Sequence, residues 1–287
     1  MSDEIPRPLD HAALALFANK GRAGGPAVVP QAGNANGVKV RRILQITGDF
    51  AQKPWSALRI ADFGCGEGVY AIEAGLRGAQ VLAMDVRTER MRDGAACAAR
   101  HGLDSVQFVE GDVRRASREE LGTFDVVYLL GLLYHLDAPE VFSVLDRMAG
   151  LCSRLMVIDT LVSLTAETVV EWGERRFEGR RCREHDDGDL PEVRRRRLLR
   201  SIDSTFAFRF TRGSLLRALH AAGFTSVQEC HVPFEPGKAD DRITLVALKG
   251  VPVRLSSYPW VNDKSEAEIE RALPTLDHAP AAGGDGR

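Results

Sequence analysis

Three carboxylates and a run of glycines stand at intervals that suit a nucleoside ligand. The run is Asp62-Phe-Gly64-Cys65-Gly66-Glu67-Gly68. Glycines allow a tight turn and remove the Cβ atoms that would keep a ligand off the backbone. Gly64, Cys65, Gly66 and Gly68 are therefore expected to approach the ligand. Asp85 lies 19 residues beyond Gly66, and Asp112 lies 27 beyond Asp85. A carboxylate at Asp85 can accept from both hydroxyls of a ribose, and Asp112 can accept from an adenine amino group. Val113 and Val86 can pack on the base. Helix capping explains any one Asp at a strand end equally well; three in this order, behind a glycine turn, favour a cofactor.

A second set of reactive side chains follows. Leu129-Leu-Gly-Leu-Leu-Tyr134-His135-Leu-Asp137-Ala-Pro139 ends an apolar run in a polar pair. His135 can serve as a general base on a hydroxyl or amine, because histidine titrates near neutrality. Tyr134 can hydrogen-bond substrate or cofactor. Anchoring of the loop by His135 is an equal alternative. His185 is a second base candidate. Cys182-Arg-Glu-His185 holds metal-ligand residue types but only two clear ligands, so no metal site is expected. Arg176, Arg180 and Arg183 can grip a carboxylate or phosphate by bidentate pairing, with Trp172 as part of an apolar wall. Glu192–Arg200 is read as a helix with a solvated charged face, the commoner outcome for such a charge run.

The elements that must position these residues alternate from residue 58 onward. Strands are expected at Leu58–Phe63, Gln80–Met84, Val106–Val109, Phe124–Leu130 and Arg154–Asp159. Helices are expected at Gly66–Arg77, Thr88–His101 and Pro139–Gly150. Alternation implies a doubly wound, mostly parallel sheet with helices on both faces. Right-handed crossovers bring the C-terminal strand ends, and hence Asp62, Asp85, Asp112 and His135, to one edge, where ligands bind. Phe224–Cys230 and Arg242–Leu248, joined without a helix, suggest a terminal antiparallel pair. His231 is expected in the first of these strands, in a structural role. The expected organisation is an N-terminal helix and loop at 1–37, a cofactor-binding core at 38–160 and an inserted substrate lid at 161–211. The core resumes at 212–250, and 251–287 is an extension ending in a disordered tail. Val40, Ile43, Leu44 and Thr47 mark a helix over Val38–Phe50.

Composition excludes several classes. The chain has 287 residues, 44% of them hydrophobic, with a formal net charge of -2. No global basic field is available to hold nucleic acid. No apolar run approaches the roughly 20 residues that span a bilayer. The first residues lack a basic-then-apolar leader, and five scattered cysteines suit a reducing cytoplasm.

Asp62-Phe-Gly-Cys-Gly-Glu-Gly68, Val81-Leu-Ala-Met-Asp85 and Val109-Glu-Gly-Asp112 resemble the S-adenosylmethionine-binding motifs of class I methyltransferases. The resemblance covers about residues 40–250 and implies a Rossmann-like, seven-stranded sheet. It implies that the glycines approach the methionine moiety, Asp85 holds the ribose, Asp112 contacts adenine and Asp62 orients the turn or the ligand's amino group. A nicotinamide dinucleotide is the competing cofactor. Against it stand the G-x-G-x-G spacing, the lack of a second mononucleotide half, and Glu67, which would repel a pyrophosphate. Methyl transfer to an O or N atom of a small molecule, of the kind met in specialised metabolism, is the expected activity. The Leu-Tyr-His-x-x-x-Pro segment is also similar to that of carboxy-S-adenosylmethionine-dependent tRNA carboxymethyltransferases. An RNA-modifying methyl- or carboxymethyltransferase is thus a second reading, and a non-catalytic cofactor-binding interaction protein a third.

Overall fold

The computed structural model describes residues 35–232 and 240–251. The expected N-terminal helix, most of the 20–37 loop, the Pro233–Lys238 loop and the C-terminal tail lie outside them.

Seven strands form one sheet: β1 (Arg59–Phe63), β2 (Gln80–Asp85), β3 (Val106–Glu110), β4 (Phe124–Leu130), β5 (Cys152–Leu161), and, later in the chain, β9 (Ser226–Glu229) and β10 (Arg242–Leu248). Their order is β3-β2-β1-β4-β5-β10-β9. The first five are parallel, while β10 runs antiparallel to both neighbours. The sheet is thus Rossmann-like with the expected terminal hairpin partner. Central strands read as continuous apolar runs because helices bury both of their faces. Accordingly, Val126, Val127, Tyr128 and Leu129 of β4 are fully buried.

The helices in chain order are α1 (Ala35–Phe50), α2 (Val69–Gly75), α3 (Thr88–Arg100), α4 (Arg118–Leu121), α5 (Glu140–Leu151), α6 (Pro191–Arg196) and α7 (Arg212–Ala221). On α1, Val40, Ile43, Leu44 and Thr47 are buried at helical spacing. The Thr47 hydroxyl satisfies itself on Ile43 O and shares a 2.7 Å bond with Tyr128 Oη, which fixes α1 against β4. α2 begins at Val69 rather than at Gly66, because Gly64, Gly66 and Gly68 all have positive φ, which the right-handed helix excludes. At Gly94 of α3 an added Cβ would lie 2.1 Å from Glu67 O, so only glycine lets α3 pack this close to the turn.

The insertion has structure of its own. β6 (Thr168–Trp172), β7 (Arg175–Arg183) and β8 (Phe206–Phe210) form a separate antiparallel sheet. On β7, Phe177 and Gly179 face inward while the arginines beside them face solvent, the two-residue period of a half-buried strand. Phe142 of α5 docks this sheet, with its ring 5.6 Å from Trp172, 5.0 Å from Phe177, 5.9 Å from Phe208 and 5.0 Å from Phe210. The helix expected over 192–200 stops at Arg196. Beyond it the carbonyls of Arg197, Arg200 and Ser201 turn to the Arg87 guanidinium. His231 falls beyond β9 and is exposed, not in the strand where it was expected, because pairing with β10 ends at Glu229.

Candidate active site

A cleft open to solvent lies along the C-terminal edge of β1, β2, β3 and β4. Gly64, Asp85, Val86, Asp112 and Val113 line it, with Met84, Leu132 and His135. Asp62, Cys65, Gly66 and Gly68 stand behind them as the frame of the turn. Asp62 is 1% exposed at the end of β1. Burial, helped by the charges of Asp62 and Asp85, pushes the Cys65 thiol far above its ordinary pKa, so it stays neutral and unreactive.

Asp85 ties the turn to β2. Its Oδ2 accepts from Gly66 N and its Oδ1 from Arg87 N, each at 2.9 Å. Each carboxylate oxygen retains a lone pair for a ribose hydroxyl. Met84, Val86 and Val113 give apolar surface for a base. This donor set fits an adenosine moiety. Asp112 is more heavily engaged than the sequence suggested. Arg114 grips both of its oxygens through Nε and Nη2 at 2.7–3.0 Å, and Arg114 N adds a third donor. Burial works to raise the Asp112 pKa, but these bonds and the Arg114 charge hold it below the ordinary carboxylate range. Three donors thus occupy most of the roughly four acceptor sites of Asp112, which leaves about one for an adenine amino group.

The far wall is the end of the insertion, Arg200–Asp203. Three arginines from the core fasten it. Arg114 pairs with Asp203 at 2.8 Å, Arg87 Nη2 donates to Arg200 O at 2.9 Å, and Arg90 reaches Leu198 O at 3.4 Å. Arg90 also pairs with Glu67 at 2.9 Å. Glu67 is thus charge-compensated, and its expected repulsion of a pyrophosphate is correspondingly weakened.

His135 meets an acid that the sequence did not single out. Its Nδ1 lies 2.9 Å from Glu184 Oε2, and Ser201 N donates to the same oxygen at 2.7 Å. Glu184 is 3% exposed. Burial works to raise its pKa, while the bond to His135, the His135 charge and the Ser201 N–H together carry it below the usual value. An ionised carboxylate only accepts, so Nδ1 carries a proton, and in the neutral imidazole the lone pair is then on Nε2. Glu184 sits inside Cys182-Arg-Glu-His185, the motif noted for its metal-ligand types. Its cue was present, but nothing in the chain pointed it at a residue 49 positions away. Among the described residues no group of three or more metal-ligating side chains occurs.

The remaining sequence candidates lie elsewhere. His185 is buried, and its Nε2 bonds Ser201 O at 2.8 Å, so it holds the insertion together rather than facing the cleft. Trp172 stacks on Phe142 and donates to Asp146. Arg176, Arg180 and Arg183 are 73%, 55% and 48% exposed and pair with Glu171, Glu167 and Asp187. None of these four lines the cleft. Tyr134 packs its ring 4.3 Å from that of His135.

Doubly wound sheet, glycine turn and edge cleft define a Rossmann-like core. Residues 60–154 match the family model of a methyltransferase domain. The chain is 30% identical over 98 residues to the ubiquinone biosynthesis O-methyltransferase of Paracidovorax citrulli, covering 34% of this chain and 40% of that protein. It is 28% identical over 138 residues to the protein of that name from Maricaulis maris, covering 44% and 54%. The matched stretch is thus about half the length of these relatives or less. In structure, the chain is similar to the N-terminal domain of EvdMO1 crystallised in the presence of SAH and D-fucose. The TM-score is 0.61 at 19% identity, over 83% of this chain and 95% of that one. It is also similar to magnesium protoporphyrin IX methyltransferase from Synechocystis PCC 6803 with bound SAM (TM-score 0.51, 16% identity, 86% and 100% covered). Residues 60–154 thus match a methyltransferase domain, and the chain shares the fold of these solved structures.

Proposed function

We propose that the protein transfers a methyl group from S-adenosylmethionine to a hydroxyl of a small-molecule acceptor. The observation that carries this reading is His135 on the cleft wall, held by the buried Glu184 at 2.9 Å. A hydroxyl keeps its proton at neutral pH and needs a base, whereas a neutral amine does not. A carboxylate on Nδ1 fixes the tautomer and stabilises the imidazolium that forms when Nε2 takes the proton. S-adenosylmethionine, when bound, supplies a methyl group on a positively charged sulfur. Asp85 would hold the ribose, and Met84, Val86 and Val113 would flank the base. The residues 200–203 wall would exclude water while the acceptor is aligned. The relatives named O-methyltransferases support the same choice of acceptor atom. The pairing of Arg176, Arg180 and Arg183 with acids favours a small molecule over RNA. A reducing, cytoplasmic setting belongs to this reading, in keeping with the five free thiols.

The test is calorimetry with S-adenosylhomocysteine, followed by turnover of a panel of phenolic and aliphatic hydroxy compounds. His135→Ala is expected to lower turnover by about 10²–10⁴ and to leave S-adenosylhomocysteine affinity unchanged. Absence of S-adenosylhomocysteine binding, or full turnover by His135→Ala, defeats the proposal.

A further inference from the structure

Among residues that do not line the cleft, positive charge accumulates around one buried acid. Asp159, at the end of β5, is 2% exposed. Its Oδ1 receives Lys39 Nζ at 2.7 Å and Arg242 Nε at 2.7 Å, and Thr244 donates to Oδ2 at 3.0 Å. Arg242 Nη2 contacts the same Oδ1. A third cation comes from the insertion. Phe208 N donates to Leu136 O, which seats β8 on the Tyr134–His135 turn. Arg209 follows on that strand, with its guanidinium 6.0 Å from the centre of the Tyr134 ring, and Arg242 lies 5.8 Å from the same centre. Arg209 Nε is buried and has no hydrogen-bond partner among the described residues. Three cations thus gather about one carboxylate and the aromatic ring beside it.

Such an excess has a physical cost. The Arg209 Nε, shut off from water, needs an acceptor, and the planar fork of a guanidinium matches a carboxylate; Arg242 is 41% exposed and already pairs with Asp159. Gly131, in the turn after β4, lies against these groups. Gly131 has φ of 94°, and a Cβ there would stand 3.5 Å from Tyr134 Oη and 3.8 Å from Arg242 Nη2. Tyr134 Oη and Arg242 Nη2 therefore converge on the ground beside Gly131, next to the turn that carries the base.

We infer that Tyr134, Arg209 and Arg242 form an anion site, and that the acceptor is a hydroxy compound bearing a carboxylate. The inference rests on the methyltransferase reading and names its substrate class. The anion anchors one end of the acceptor at Arg209 and Arg242, and Tyr134 Oη donates to it. The hydroxyl end then faces His135, whose ring packs 4.3 Å from that of Tyr134. The arginines that recognise the substrate are thus set by the turn after β4 and by β8 and β10, not by the outward face of β7. A carboxylate here has two sources, the acceptor or the amino-acid end of the cofactor.

The experiment separates them. Full-length protein saturated with S-adenosylhomocysteine is titrated with matched pairs of hydroxybenzoates and the corresponding hydroxybenzamides, with binding read by saturation-transfer NMR. Turnover of the same pairs is followed with S-adenosylmethionine. Carboxylate members are expected to bind at least tenfold more tightly than their amides. Arg209→Gln is expected to abolish that preference, raising KM at least tenfold with kcat little changed, while Arg209→Lys restores part of it. S-adenosylhomocysteine affinity is expected to be equal in wild type and Arg209→Gln, with unchanged thermal midpoints reporting intact folds. Lack of carboxylate preference, whether because amides bind as well or because no carboxylate binds, overturns the proposal. So does a tenfold loss of S-adenosylhomocysteine affinity in Arg209→Gln, which would assign the site to the cofactor's own carboxylate. Failure of wild type to bind S-adenosylhomocysteine strikes the methyltransferase reading instead, and is visible before any acceptor is added.

Discussion

Replacing Asp85 with asparagine keeps the shape of the side chain and removes its charge. The residue is 8% exposed, and both of its oxygens face backbone N–H groups, Gly66 N on one side and Arg87 N on the other. Asparagine offers one oxygen and one NH2. Whichever way the amide turns, one N–H must face another donor. A buried donor left without an acceptor costs about 1–3 kcal/mol. Loss of charge on the surviving bond adds roughly 1 kcal/mol, since charge-assisted bonds are about twice as strong as neutral ones. Asp85→Asn should therefore lower the unfolding free energy by about 2–4 kcal/mol, measured by urea titration. The same carboxylate is the expected partner of the ribose hydroxyls. A hydrogen bond to a charged group contributes about 1.5–3 kcal/mol, so one lost bond lowers S-adenosylhomocysteine affinity roughly 10- to 100-fold. Calorimetry with S-adenosylhomocysteine and its 2′-deoxy analogue separates the two effects. Wild type should discriminate between them, and the variant should not. A variant within about 0.5 kcal/mol of wild type in stability, with unchanged affinity and discrimination, would refute the reasoning about both the turn and the ribose.

Two other perturbations probe the insertion. Glu184→Gln removes a carboxylate whose pKa is depressed in the folded state. A depressed group stabilises the fold above its unfolded pKa, about 4.3 for glutamate, and this contribution is lost as pH falls through the folded value. The urea midpoint of wild type should accordingly fall more steeply than that of Glu184→Gln below about pH 4.3, and parallel curves would count against an ionised Glu184. In turnover, the variant should lose about 10- to 100-fold in kcat, from one charged bond worth about 1.5–3 kcal/mol. Its KM should change little, since Glu184 acts through His135. Phe142→Ala removes a ring that is 2% exposed and contacts Trp172, Phe177, Phe208 and Phe210. It should cost about 3–5 kcal/mol of stability in urea unfolding, and a loss below about 1 kcal/mol would show that this cluster does not dock the second sheet.

Local pattern alone determined the core. Apolar runs set β1, β2, β3 and β4 to within a residue or two; for β1 and β4 the reason is that a strand buried on both faces must be largely apolar. Asp85 was legible for the same reason, since strand ends and a glycine turn fix where the next acid falls. The insertion was not legible in this way. Its arginines looked like ligand-binding residues because sequence shows charge but not face. Only the pairing of β7 with β6 and β8 turned Arg176 and Arg180 to solvent, while Arg183 is exposed at the strand's end. Glu184 and Arg209 carry no local signal of their roles. One acquires His135 as a partner across 49 residues, and the other reaches Tyr134 only because β8 is seated on the turn after β4. Asp62-Phe-Gly-Cys-Gly-Glu-Gly68 and the acids that follow it come to one sheet edge, the candidate cofactor site, through short-range geometry. Which side chains meet at the acceptor end depends on contacts between distant segments, and that was decided by the tertiary fold.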